Sequence, residues 1–463
     1  MMDIHNVILP FQDDSARWDI NVEDGTVKSM KRRDASAPPE PASLMLPSLC
    51  HPHIHLDKAY LLTCNHPPSP SHPDYSDLTP ENGTFKEALA NTSEAKKRYT
   101  PEDLYLRGSQ LLATSYAQGV TAMRVFVELD HVTGHQPLKT AMQLKADFQH
   151  LVEMQICAFA QDPIFSTGHG NQNRSILMTA LEDFGDVIDV IGTTPYVEKD
   201  GTSYQKNIEW AIQTALKHKK HLDFHIEYNL ENRNANATGA FNVLLAILAA
   251  YRWPTEKGSP TIVLGHATRI TQASHSQLSF LADEIRTTGL PIHFVGLPTS
   301  DLFMMGRPAF EAEETPGDRP LDRPRGTLNV PTLIQKYNMN ACLSVNNVGN
   351  AFTPYGTGDP LTMASWGVGI YHAGTTEDAK LLYEAISTRA RRAIMPLASD
   401  EPEDSAIVVE GKPLPPMLLI KNEETLEVGS ATGKPLRVQS RQRLGIADVV
   451  WDPPETRLRQ VIQ

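Results

Sequence analysis

The chain has 463 residues, of which 40% are hydrophobic and 21% charged, and a formal net charge of −13. This is the composition of a folded protein, and the acidic balance argues against nucleic acid or an anionic membrane as a main partner. The start, Met1-Met-Asp-Ile-His-Asn, has no signal-peptide pattern, and the longest apolar run, Val243–Tyr251, is too short to cross a bilayer.

In chain order, short strand-like runs at Asn6–Phe11, Asp19–Val22 and Val27–Met30 open the sequence, the last two separated by a turn at Asp24-Gly25. Eight apolar runs follow, at Leu44–Cys50, Thr121–Leu129, Met154–Ala160, Val187–Thr193, Leu222–Ile226, Thr261–Leu264, Ile292–Gly296 and Ala341–Val345. Helix-like stretches such as Pro101–Gln118, Arg174–Phe184, Tyr204–Lys219 and Ser274–Thr288 lie between them. Several of the runs are apolar throughout, as parallel strands covered on both faces are. Repeated strand–helix alternation predicts an α/β fold, a (β/α)8 TIM barrel over residues 46–402. The remaining runs, Ala406–Glu410, Met417–Ile420 and Ala447–Trp451, read as strands, so residues 1–45 and 403–463 are expected to form one composite β-sandwich. Two Pro-rich stretches, His66–Pro80 and Arg307–Arg325, follow the first and seventh barrel strands, on the side where such barrels build active sites. Each is either a lid or a surface loop. The four cysteines, Cys50, Cys64, Cys157 and Cys342, lack C-x-x-C spacing and read as reduced thiols of a cytoplasmic protein.

The histidines sort by position. His53 and His55 end the first barrel run, and side chains two apart on a strand share a face. Two converging imidazoles begin a site for zinc or a similar divalent metal, although His51 extends the row and offers a second possible pair with His53. His225 and His266 stand at the C-terminal ends of the fifth and sixth strands, and Asn346 at the end of the eighth. Four histidines from three strands on one rim favour a metal site over separate structural roles.

These features resemble the amidohydrolase superfamily, in particular its cytosine-deaminase-like branch. The resemblance rests on Pro52-His-Ile-His-Leu-Asp-Lys58, Gly119-Val-Thr-Ala-Met-Arg124, Ala158-Phe-Ala-Gln161, Asp223-Phe-His225, Gly265-His-Ala-Thr268 and Met305-Gly-Arg307. It implies a single zinc, or else iron or manganese, held by His53, His55 and His225, with Asn346 completing the metal shell. It further implies that His266 polarises substrate or activates water and that Gln161 holds a pyrimidine or amide group. A second metal would require a carbamylated lysine at the end of the fourth strand. That strand ends Gly192-Thr-Thr-Pro195, with the nearest lysine at Lys199, so one metal is expected.

Two departures bear on the chemistry. Where the family has an aspartate that takes the proton of the metal-bound water, this chain has Asn346, followed by Asn347. An amide is neutral and accepts no proton near neutral pH, which leaves the metal weakly held or absent as a second expectation. The glutamate expected three residues after the strand-five histidine is Tyr228, and the carboxylate stands one earlier, at Glu227. Ideal strand geometry puts Glu227 on the face of His225, where it would act as a proton shuttle with Tyr228 donating to substrate. Lys58 and Arg307 are candidate contacts to substrate, with Asn347 beside them, and Phe126 and Glu128 point to a substrate other than cytosine.

The expected function is metal-dependent hydrolysis of a C–N bond in an amide, cyclic amide or amino-substituted heterocycle. The catalytic candidates are His266, Glu227 and Asn346. One alternative is a non-hydrolytic enzyme (cyclisation, isomerisation or elimination) with weak or no metal; the other is a silent ligand-binding protein. A small molecule is the expected partner, and self-association into a homo-oligomer is also considered.

Overall fold

The computed structural model describes residues 1–34, 40–63, 67–230, 236–305, 326–396, 407–430 and 433–463. Eight strands, Leu49–His55, Val120–Glu128, Glu153–Ala160, Ile188–Thr193, His221–Ile226, Ile262–His266, Ile292–Gly296 and Ala341–Leu343, pair side by side in chain order. Each adjacent pair is parallel. The eighth strand meets the first through a parallel bridge between Asn346 and Ile54. There the His55 amide donates to the Asn346 carbonyl at 2.8 Å, and the Asn346 amide to the His53 carbonyl at 3.1 Å. The predicted (β/α)8 barrel is thus the observed one.

Local chemistry fixes where the elements start and stop. Thr100 caps the helix Pro101–Gln118 by accepting from the Asp103 amide, and proline opens its first turn. Gly119 ends it with φ +105°, and a β-carbon there would lie 2.8 Å from Leu418, so only glycine turns the chain into the second strand. The opposite mouth of the barrel is filled. Ala390, Ala393 and Ile394 of the helix Thr388–Ile394 pack against the inward-facing Cys50, Ala122, Val263, Val295 and Cys342. Thr261 Oγ1 and Gln155 Nε2 donate to the carbonyls of Ala393 and Ile394, each at 2.7 Å.

The chain ends meet in one six-stranded sheet, ordered Arg459–Ile462, Met417–Ile420, Ser43–Pro47, Met2–Leu9, Asp13–Glu23, Thr26–Arg32. Alternation divides its side chains between two cores. Val7, Leu9, Met45, Met417 and Leu419 form a small core of their own, whereas Ile8, Leu44, Leu46, Leu418 and Ile420 join the barrel core. A two-stranded ribbon, Thr425–Val428 with Leu436–Gln439, stands apart.

Three sequence expectations are corrected. The run Leu44–Cys50 is not one strand: Ser43–Pro47 belongs to the terminal sheet, and the barrel begins at Leu49. Pro47, lacking an N–H, marks the break, and Ser48 Oγ pairs with Thr121 Oγ1 at 2.6 Å. Ala447–Trp451, read as a strand, lies in the helix Ile446–Trp451, whose buried Ile446, Val449 and Val450 follow a helical period. In Ala406–Glu410, residues 407–410 form no strand and Ala406 lies outside the described residues.

Burial also shapes the pH response. It lowers the imidazole pKa of His51 and His293 to about 4, and that of His221 to about 3 with help from Arg124 and Lys220. The ordinary value, about 6.5, applies to the unfolded chain. Below it the unfolded state binds more protons, so these groups cost stability progressively as pH falls from about 6.5 to about 4. The urea midpoint at about pH 5 should lie below that at about pH 7.5, and His51→Leu should narrow the gap; an unchanged gap would contradict this reading.

Candidate active site

The first strand carries an irregularity that aims its histidines. Its pairing with the second strand runs His51 to Met123, then Ile54 to Val125, three steps against two. The extra residue is a bulge, which resets the alternation between Cys50 and the mouth. His53 and His55 therefore face inward. His51 is fully buried and makes no hydrogen bond through either nitrogen, whereas His53 and His55 both bring Nε2 to His225.

His225 Nε2 lies 3.1 Å from His53 Nε2 and 3.1 Å from His55 Nε2. Nitrogens of His53, His225 and His266 also fall within 4.8 Å of one another. Gly265 makes room for His53, since a β-carbon there would lie 2.7 Å from its Cε1. Burial, reinforced by one another's proximity and by Lys58, holds His53, His55 and His225 well below the ordinary imidazole pKa. They are neutral, and at most a few of their converging nitrogens carry hydrogens. The amide of Asn346 sits beside His53 and His55, and its Oδ1 has no hydrogen-bond partner. Neutral nitrogen donors meeting at one point, with an unpartnered amide oxygen alongside, fit a divalent cation.

Left-handed backbone recurs around this mouth: Glu227 (φ +49°), His266 (+67°), Ala267 (+46°) and Asn346 (+67°). Such conformations persist where surrounding contacts enforce them, and they cluster at functional sites. The turn at Glu227 breaks strand alternation, and its carboxylate leaves the cavity. It accepts from Tyr204 Oη at 3.0 Å and pairs with Arg269 at 3.2 Å. The expected inward-facing shuttle is therefore not formed. Tyr228 takes the inward place, its ring 4.0 Å from that of His266, while its hydroxyl donates to the Ser300 carbonyl at 3.4 Å.

His266 is oriented from behind. Its Nδ1 lies 2.8 Å from Asp301 Oδ1, in the short helix Pro298–Met304 after the seventh strand. Asp301 Oδ2 accepts from the Leu297 amide and from Thr327 Oγ1, each at 3.1 Å. This bond places the proton on Nδ1 and leaves Nε2 with a lone pair.

The cavity is lined by His55, His225, His266, Asn346, Asn347, Gln161, Lys58, Tyr228, Phe85, Tyr196 and Phe352. Lys58 Nζ donates to Glu128 Oε1 at 2.5 Å and to Gln161 Oε1 at 3.4 Å. Glu128 is shared with Lys96 at 2.9 Å, which also binds Asp130 at 2.6 Å. Burial raises the Glu128 pKa, but the two lysines outweigh it and the group stays ionised. Asp57 Oδ2 accepts from the Glu128 amide at 2.8 Å, and burial, then Glu128, pushes the Asp57 pKa up to about 6. Arg307 lies outside the described residues.

Sequence reasoning missed Phe85, Tyr196, Phe352, Asp301 and Lys96. They come from a loop, from the helical turn Pro195–Val197 or from the helices Phe85–Lys96 and Pro298–Met304, where spacing along the chain carries no information about the pocket. The acidic residue close behind the seventh strand, in Leu297-Pro-Thr-Ser-Asp301, was the one available signal.

A barrel joined to a sheet from the chain termini is an architecture that known proteins share, and in this chain its C-terminal mouth carries a histidine cluster. No family model matches the chain. N-isopropylammelide isopropyl amidohydrolase of Pseudomonas sp. (strain ADP) is 21% identical over 355 residues, 76% of this chain and 75% of that protein. The structure of 5-methylcytosine deaminase from Klebsiella pneumoniae with phosphonocytosine superposes with a TM-score of 0.74, at 19% identity, over 99% of this chain and 95% of that one. N-isopropylammelide isopropylaminohydrolase from Burkholderia multivorans gives 0.67 at 17%, over 99% and 96%. The chain has the fold of these amidohydrolases and deaminases. No described helix is long and apolar enough to cross a membrane.

Gly265→Ala would force the His53 ring aside. It should weaken zinc affinity about tenfold or more while leaving the far-ultraviolet circular dichroism unchanged; wild-type affinity in this variant would contradict the placement of His53.

Proposed function

We propose that the chain is a metal-dependent hydrolase that breaks a C–N bond of a small amide, cyclic amide or amino-substituted heterocycle. His53, His55 and His225 would hold one divalent cation, zinc first, with Asn346 beside them. The observation that carries this reading is the convergence of neutral imidazole nitrogens at 3.1 Å in the barrel mouth. Such donors favour zinc and related ions. The relatives, named as deaminase and amidohydrolases, support the same reaction class.

A bound cation supplies Lewis acidity toward water and toward the substrate's polar atom. The chain must do the rest. His266 Nε2, with a lone pair fixed by the bond from Nδ1 to Asp301, accepts the proton that Asn346 cannot take, and Asp301 stabilises the resulting imidazolium. Gln161, Asn347 and Lys58 orient the substrate ring. Phe85, Tyr196, Tyr228 and Phe352 form an aromatic wall that excludes water, with Phe85 5.7 Å from Tyr228 and 5.8 Å from Phe352. The neutrality of Asn346 favours a second reading, isomerisation or elimination on the same site.

The test is release of ammonia or an amine from a panel of single-ring substrates by metal-loaded protein. His266→Asn should lower kcat by about 10²–10⁴-fold at unchanged metal content. Asp301→Asn should also lower kcat, and Glu227→Gln should leave it nearly unchanged. Turnover that survives His266→Asn but fails in Glu227→Gln would overturn the assignment, and a changed substrate without release would favour the second reading.

A further inference from the structure

The hydrogen-bonding polarity of the cavity wall opposite the histidines is one-sided. Asn350 Oδ1 accepts from the backbone amides of Phe352 (3.0 Å) and Thr353 (3.2 Å), which fixes its side-chain orientation. Its Nδ2 then donates to the Lys58 carbonyl at 3.0 Å and to Asn347 Oδ1 at 2.8 Å. With its oxygen engaged, Asn347 has its NH2 group to offer the cavity it lines. Gln161 is set in the same sense, because its Oε1 accepts from Lys58 Nζ. Lys58 carries only donors, and Glu128, itself held by Lys96, anchors its ammonium group at the cavity wall.

No carboxylate among the described residues lines the cavity. Among its acceptors, His266 Nε2 and Asn346 Oδ1 stand at the histidine end. Asp223, the carboxylate near the cluster, lies 3.8 Å behind His53 Nδ1 and is paired with Arg124 at 2.9 Å. A cation at the histidines would therefore meet neutral ligands only, and the facing wall adds an ammonium and two amide donors.

We propose that this wall is an anion subsite and that the substrate is a single-ring heterocycle with a negatively charged, oxygen-bearing edge, read by Lys58 Nζ and the NH2 groups of Gln161 and Asn347. This rests on the hydrolase reading and names its substrate class. A neutral amino-heterocycle edge that donates hydrogen bonds would meet donors there and lose affinity, because a buried donor left unpaired is costly. Two chemistries present such an edge: a ring carboxylate, or a ring whose imide is itself ionised.

The experiment is calorimetric titration of the purified protein near neutral pH with uracil (neutral), uracil-6-carboxylate (exocyclic carboxylate) and barbiturate (ionised ring), with metal content measured on the same samples. At least one anion should bind tenfold or more tightly than uracil, and the anion preferred identifies which edge is read. Asn347→Asp, nearly isosteric and sparing the Lys58–Glu128 pair, should remove most of that preference at unchanged metal content. Lys58→Met should do the same. Uracil binding as tightly as both anions, no binding by either anion, or a preference that survives both variants would overturn the proposal. Failure of the hydrolase reading is separable: it would appear as protein without metal, whatever the order of the three ligands.

Discussion

Closure of the barrel between its first and eighth strands sets the geometry on which the site depends. The same few residues serve as seam and as site. The His55 and Asn346 amides make the closing backbone bonds, while the side chains of His53, His55 and Asn346 face the interior. Ser344 Oγ reinforces the seam by donating to the His53 carbonyl at 2.6 Å. Because bulge and seam are adjacent, the two histidines cannot shift without disturbing the barrel's closure. His225, four strands away around the barrel, is brought to them only because the sheet closes.

That geometry creates an electrostatic demand. His53, His55 and His225 each leave Nδ1 without a hydrogen-bond partner. Buried polar atoms without partners cost about 1–3 kcal/mol each. A bound cation satisfies the converging nitrogens and adds its binding free energy to folding. Below this layer, Arg124 and Asp223 form a fully buried ion pair, with Arg124 Nε donating to Gln155 Oε1 at 3.0 Å. Above it, His266 depends on Asp301 and Lys58 on Glu128. The site is held by charges one layer behind the groups that face the cavity, and these supports fix tautomer and direction.

The barrel was legible in the sequence because its strands are buried on both faces and separated by helices, so nearly every apolar run marked one. Ile292–Gly296 matches the structure at both ends. The clustered histidines were legible because strand ends carry regular spacing. Glu227 was misjudged for the same reason: strand alternation was extended one residue past a left-handed turn that spacing does not reveal. His51 needed the bulge to be assigned. The aromatic wall and Asp301 come from connections whose position depends on tertiary packing. The run Ala447–Trp451 shows the limit of short apolar patterns, which suit a strand or a helix until packing chooses.

The central claim is that neutral histidine nitrogens in the barrel mouth hold one divalent cation although Asn346 supplies no charge. It is tested most directly by plasma mass spectrometry of the purified protein, native and Asn346→Asp, after equilibration with zinc. The account predicts about one metal per chain in the native protein, as three imidazole ligands suffice for a zinc site, and tighter retention against chelator in the aspartate variant. A native protein that stays empty while the Asn346→Asp variant fills would contradict it.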